Sequence, residues 1–213
     1  TITDSVTVTM GPNSQIVVEQ GAKLIVDGGT ITGCNIWNGI VIYGNPAKSQ
    51  PGVSFGNAES YNLASNDHGV VYFKSGAELS NSRYGVMLGG EVTFPVPFPQ
   101  TYAGGVLLAD SSLFINNVQA ISFLPFTKKN KSHIANCTFT SSNTMDVYPN
   151  AFVWGALVNG PYFEGNTFTN LNPNDFPIAH RGNGVHLVGS NANFDGSDGN
   201  PNTFKNLYYG IRA

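Results

Sequence analysis

Charge is what this chain has least of. Only 11% of its 213 residues are Asp, Glu, Lys or Arg, less than half the usual share of about 25%. Helical proteins cover their surfaces with Glu, Lys and Arg, so the composition argues against a helical fold. The net charge is −3, and the basic residues cluster only at Lys128, Lys129 and Lys131. A nucleic-acid partner needs a positive face that displaces counterions, so none is expected. No apolar run approaches the ~20 residues of a spanning helix, and no membrane insertion is expected.

Cysteine is nearly absent too. Cys34 and Cys137 are too few for a disulfide framework and lack metal-ligand spacing. Both are expected to be free, buried thiols that fill apolar gaps. No metal site and no cofactor are expected. The serines lack the G-x-S-x-G elbow of a nucleophile. The stretch "GNGVHLVG" precedes no helix and so is no phosphate loop. The opening "TITDSVTVTM" has neither an initiator Met nor the shape of a signal peptide. It reads as a mature or trimmed chain.

In place of charge stand 25 Gly and many Asn, Ser and Thr, the residues of tight turns. With 41% hydrophobic residues, the chain can bury a sizeable core. One short phrase recurs: "CTFTS" at Cys137–Ser141, "NTFTN" at Asn166–Asn170 and "NTFKN" at Asn202–Asn206. Aligned on its apolar centre it extends to Ile31, Leu79 and Phe114. Polar flanks around one large apolar residue have the period of two of a strand with one buried face.

A second strand follows each centre: "GIVIYG" (39–44), "GVMLGG" (85–90), "AISFLP" (120–125), "AFVWGA" (151–156), "GVHLVG" (184–189) and "GIRA" (210–213). Its expected inward pairs are Ile40/Ile42, Val86/Leu88, Ile121/Phe123, Phe152/Trp154, Val185/Leu187 and Ile211/Ala213. A third strand precedes each centre, from "AKLIVDGG" (22–29) to "NANFDG" (191–196). Three short strands recurring at uneven intervals exclude a propeller, whose blades have four strands and a regular period. They predict an all-β fold, a single-stranded right-handed parallel β-helix (a solenoid) of about six coils. Residues 1–213 are expected to form one such domain. Because "YYGIRA" stops inside a strand, the chain is expected to be a piece of a longer one. Phe114, Phe139, Phe168 and Phe204 should form an internal column. Asn116, Asn170 and Asn206, two residues after their Phe, should turn inward and bond backbone groups at the corner.

The stretches "GAKLIVDGGTITGCNIWNGIVIYGN", "HGVVYFKSGAELSNSRYGVML", "AISFLPF", "NCTFTSS" and "NTFKNLYYGIRA" cover most of the chain. On them it resembles the right-handed parallel β-helix proteins of the pectate-lyase-like superfamily. More narrowly, it resembles secreted β-helix repeat proteins of Bacteroidota, which usually carry a C-terminal sorting domain that this sequence lacks. The resemblance implies a secreted or cell-surface location. It specifies fold better than activity, because the superfamily hosts lyases, hydrolases, adhesins and structural shafts.

Lyases of that superfamily use acidic calcium ligands with an Arg or Lys base. The expected outward column of the second strand is Val41, Met87, Ser122, Val153, His186 and Arg212. It contains no stack of Asp, which weakens the calcium-lyase reading. Insertions at 46–68 and 91–103 separate one coil from the next. Those at 142–150 and 171–183 lengthen another corner on two successive coils. There they gather Asp146, Tyr148, Asp175, Phe176, His180 and Arg181, beside His186 and Arg212. Aromatic faces with hydrogen-bonding charged groups suit a sugar chain. Each also has a plain structural role: Asp175 can cap its turn, and His180 and Arg181 can be a solvated loop tip. The expected function is a non-catalytic extracellular module, a shaft or adhesin segment in contact with polysaccharide. Further domains or chains are expected to cover its ends. The alternative is a polysaccharide lyase or glycoside hydrolase, for which Asp146 and Asp175 are the candidate carboxylate pair.

Overall fold

A computed structural model describes residues 1–63, 67–90, 102–196 and 199–213. Most of the predicted insertion at 91–103 lies outside the described residues. Among these residues twenty-two strands fall into three sheets, and every strand pair within them is parallel.

The first sheet stacks β1 (Ile2–Thr3), β4 (Lys23–Asp27), β7 (Val70–Lys74), β10 (Val106–Asp110), β14 (His133–Ala135), β17 (Val158–Glu164) and β20 (Asn191–Asp195). A short β13 (Phe126–Lys129) pairs with the start of β17. The second sheet stacks β2 (Thr7–Met10), β5 (Thr30–Gly33), β8 (Glu78–Ser80), β11 (Leu113–Ile115), β15 (Thr138–Ser141), β18 (Thr167–Asn170) and β21 (Thr203–Lys205). The third stacks β3 (Gln15–Val18), β6 (Trp37–Ile42), β9 (Ser82–Leu88), β12 (Gln119–Phe123), β16 (Ala151–Ala156), β19 (Asn183–Val188) and β22 (Tyr209–Arg212). The chain visits the three sheets in turn and returns one level higher each time, which is a parallel β-helix. Seven rungs are described, one more than expected. The extra one is β1, β2 and β3, in which Thr7-Val8-Thr9 lies in register with Thr30-Ile31-Thr32.

The expected register holds through the second sheet. Phe114, Phe139, Phe168 and Phe204 are successive partners. Their rings stack at centroid distances of 4.7, 4.6 and 4.9 Å, within 14° of parallel. The first three are fully buried. Each buried Phe contributes about 1.5–3 kcal/mol from area alone, and each stacked pair about 0.5–1.5 kcal/mol more. The Thr residues that flank these rings point outward, so the phrase that recurs in the sequence is one side of a rung.

In the third sheet one strand is shifted from expectation. Val153, not Phe152, pairs with Ile121 and Val185, so Val153 and Gly155 point inward and Trp154 points outward. Phe152 occupies the corner row that neighbouring rungs fill with Gly85, Ala120 and Gly184. That row is tight. A Cβ on Gly184 would lie 2.5 Å from the Phe204 ring and 2.4 Å from the carbonyl oxygen of Gly210. In its own rung Phe152 instead turns onto Phe139 and Phe168, with both centroids 6.2 Å away.

The expected corner amides bond backbone groups: Asn116 Oδ1 accepts from Ser142 N at 2.9 Å, Asn170 Oδ1 accepts from Asn172 N at 2.9 Å, and Asn206 Nδ2 donates to the Asn170 carbonyl at 3.1 Å. Asn116 and Asn206 have left-handed backbones (φ 54° and 60°), and Asn170 is buried with an unpartnered Nδ2. The rungs are tied as well by Asn117, Asn166 and Asn202. The Asn166 Oδ1 accepts from the backbone N–H of Cys137 at 2.9 Å, and its Nδ2 donates to the Ile134 carbonyl at 2.9 Å. Asn202 repeats this one rung higher on Asn166 N and Phe163 O. Asn117 repeats it at the next corner on Ser82 N and Leu79 O. Each amide satisfies one donor and one acceptor that a sharp turn leaves open. The leading Asn of "NTFTN" and "NTFKN" carries the pattern upward, and the trailing Asn206 adds a bond to the Asn170 carbonyl of the rung below.

The long insertion after β6 folds over the outer face of the first sheet. Val53, Ala58 and Leu63 bury Val70, Tyr72, Val106 and Leu108. The Lys23 Nζ fastens the segment by donating to the carbonyls of Ala58, Glu59 and Tyr61 at 2.7, 2.5 and 3.2 Å. The two cysteines are free, but only Cys137 is buried. Cys34 is exposed at the corner between β5 and β6.

Candidate functional site

Corner loops in a solenoid are built on the turn of the rung below, and that is how the 142–150 loop is held. Asn116 Oδ1 accepts from Ser142 N at 2.9 Å, and Asn116 Nδ2 donates to Thr144 Oγ1 at 3.1 Å. The loop of the next rung, between β18 and β19, is shaped by Pro173 and Pro177, which open two short 3-10 turns, Pro173–Asp175 and Ile178–His180. Pro suits the first position of the Pro173–Asp175 turn because its φ is already near the helical value, and Pro177 stands as the cap before the second turn. The two loops are then tied to each other. Asn143 N donates to Asn172 Oδ1 at 3.2 Å, and Asn143 Nδ2 donates to Asp175 Oδ2 at 2.8 Å.

Between them lies an open cleft of about 470 Å³ lined by Asn143, Met145, Asp146, Val147, Tyr148, Asp175 and Phe176. A second cleft of about 290 Å³ shares Met145 and Asp146 with it. That one runs down the same corner past Asn116, Asn81 and the turn at Gly33–Ile36. Together they make one groove along the helix axis, from the second rung to the sixth. At about 4.8 Å per rung it is roughly 19 Å long.

Six of the eight expected site residues come together in these loops. Tyr148 is 51% exposed and presents its ring at the cleft. Phe176 is buried at 5%, so it is a packing residue rather than a stacking platform. Its ring meets Tyr148 edge-on at 5.8 Å. His180 meets Tyr148 on another side, at 4.3 Å and 70°. Asp146 and Asp175 are exposed and line the cleft. Among the described residues Asp146 has no hydrogen-bond or ion-pair partner. Arg181 turns its Nε toward the Phe176 carbonyl at 3.4 Å and does not line the cleft.

His186 and Arg212 are placed elsewhere. They are register partners on the outer face of the third sheet, in one column with Trp154. Burial, and then the Arg212 charge, hold the His186 imidazole below its ordinary value. The Arg212 guanidinium sits 5.8 Å over the Tyr209 ring. Neither residue lines the cleft. Among the described residues, no group of three or more His, Cys, Asp or Glu side chains is arranged to hold a metal ion.

The sequence reading missed Asn143, Met145 and Val147 in the lining, and Trp154 in the outer column. Asn143 had a signal, since it stands at the root of a lengthened corner as Asn172 does. Trp154 had none, because its strand alternates plausibly in either register.

No family model matches the chain, nor does any curated protein or solved structure.

Proposed function

We propose that the chain is a non-catalytic β-helix module, a shaft or adhesin segment of a secreted or cell-surface protein. In this reading it contacts a polysaccharide at the groove between the 142–150 and 171–182 loops. The observation that carries the reading is the exposed Tyr148 ring above a cleft lined by Asp146, Asp175 and Asn143. A sugar ring offers an apolar face for the aromatic ring and hydroxyls for the carboxylates and amide. The groove is open at the surface and runs across several rungs, which suits a polymer better than a small enclosed ligand. Its walls are cross-tied by side-chain hydrogen bonds, so little order has to be acquired on binding. Membership of the pectate-lyase-like superfamily, and kinship with secreted Bacteroidota repeat proteins, belong to the same reading. So do further domains or chains that cover the edge strands of the outermost rungs, since open strand edges recruit partners.

One observation favours a second reading. Asp146 and Asp175 share a cleft, as the two carboxylates of a glycoside hydrolase do. Against it, both are exposed, without the desolvation on which a carboxylic general acid depends. The test is a panel of soluble polysaccharides assayed for binding and for new reducing ends. The module reading expects binding that Tyr148→Ala abolishes, with no cleavage. Cleavage lost in Asp146→Asn or Asp175→Asn would establish the enzyme instead. Binding untouched by Tyr148→Ala would move the site away from this groove.

A further inference from the structure

The lining of the loop cleft is rich in acceptors and holds no cation. Asp146 and Asp175 contribute two carboxylates. Asn143 donates its Nδ2 to Asp175 and adds an exposed amide to the lining. The nearest basic side chains in sequence, His180 and Arg181, are not among the lining residues. His180 packs on the Tyr148 ring, and the Nε of Arg181 points back to a backbone carbonyl. The lining therefore carries two carboxylates and, among the described residues, no Lys or Arg, and an exposed aromatic ring stands beside them. Carboxylates and the face of a Tyr ring both attract a cation. A ligand bearing carboxylates would meet like charge on two sides of the cleft.

Resting on the reading of this groove as a glycan site, we propose that its ligand is an amine-bearing glycan. The groove selects glucosamine-type units with a free ammonium group and rejects uronate chains. The ammonium sits between Asp146 and Asp175, and the ring carrying it stacks on Tyr148. The acyl group of an N-acetylated unit removes the charge that the two carboxylates read. The contact is an ion pair at an exposed cleft, so it is selective and sensitive to salt.

The probes are a fully deacetylated chitosan hexamer, the fully N-acetylated hexamer, polygalacturonate and hexalysine, titrated calorimetrically against the whole chain. The deacetylated hexamer should bind about tenfold more tightly than the acetylated one. Most of that preference should vanish when ionic strength rises from ~0.05 to ~1 M, as the Debye length shrinks to about 3 Å. Asp146→Asn should bring the ratio of the two affinities toward one, with its thermal melt showing that the variant is folded. Equal binding of the two hexamers by the native chain would overturn the ammonium assignment while leaving the groove a glycan site. Tighter binding of polygalacturonate would overturn it as well. Hexalysine binding as tightly as the deacetylated hexamer would show that charge is read without the sugar, which also overturns it. No binding of any glycan would overturn both this inference and the reading of the groove.

Discussion

Replacing Phe168 with Ala removes the third of the four stacked rings in the Phe column. The ring is fully buried, with Phe139 4.6 Å away on one side and Phe204 4.9 Å away on the other. Phe152 leans on its edge at 6.2 Å. Deleting a buried Phe costs about 3–5 kcal/mol, part of it from the cavity left behind. Neighbouring rungs cannot close that gap, because backbone hydrogen bonds fix their spacing. For a domain of this size each kcal/mol lowers Tm by about 2–4 °C, so a fall of roughly 6–20 °C is expected. Phe204→Ala is the internal comparison. That ring is only partly buried and stacks on one side, so its loss should lower Tm by less than half as much. Circular dichroism melts of the three proteins measure both. An unchanged Tm in Phe168→Ala, or a larger effect in Phe204→Ala, would refute the register on which the fold is built.

Three further outcomes follow from the same geometry. Asn166→Leu leaves the Cys137 N–H and the Ile134 carbonyl unpaired inside the corner, and should cost about 2 kcal/mol or more in urea unfolding. An unchanged urea midpoint would mean that water replaces the amide at no cost. A maleimide should label one thiol, Cys34, in the native chain and two in denaturant, because burial pushes the Cys137 thiol up to about 12. Two fast thiols in the native state would contradict the buried placement of Cys137. His68 is buried with Nδ1 2.7 Å from the Gly104 carbonyl, and burial holds it below its ordinary value despite nearby Asp67. The unfolded chain then takes up the proton before the folded chain does. The stability this histidine confers is present above its unfolded value near pH 6.5 and lost as pH falls below it. His68→Gln should flatten the fall in Tm between pH 8 and pH 5, and an equally steep fall would assign it to other groups.

The second sheet was readable in the sequence because most of its strands place one large apolar residue between polar flanks, β11 (Leu113–Ile115) being the exception. Only one alternation satisfies that pattern. Strand β16 was not readable. "AFVWGA" buries either Phe152 and Trp154 or Val153 and Gly155, and side-chain size favours the first pair. What accompanies the second is the packing of Phe152 at the corner onto Phe139 and Phe168, a contact between strands that no single strand displays. The first rung was written as plainly as the others, in Thr7-Val8-Thr9. The two-residue strand before it, Ile2–Thr3, hid the three-strand unit. Asn serves two roles at the corners. It tolerates a left-handed backbone at Asn116 and Asn206, and it bonds the backbone of a neighbouring rung there as well as at Asn117, Asn166 and Asn202, which the recurring Phe spacing does not pick out. At the site, the adjacency of the two loops was legible, since insertions at the same corner of successive rungs must meet. The burial of Phe176 and the separation of His186 and Arg212 from the cleft were not. They depend on how Pro173 and Pro177 fold the loop and on how far along β19 and β22 those side chains stand.

The most direct test of the account is amide hydrogen exchange across the whole chain, with and without the tightest-binding oligosaccharide of the panel. A glycan seated in the corner groove should slow exchange in 142–150 and 171–182, and at the Asn81 and Asn116 turns below them. The outer faces of the first and third sheets should be unchanged. Protection confined to either of those faces, or no protection with any glycan, would contradict the assignment of the groove.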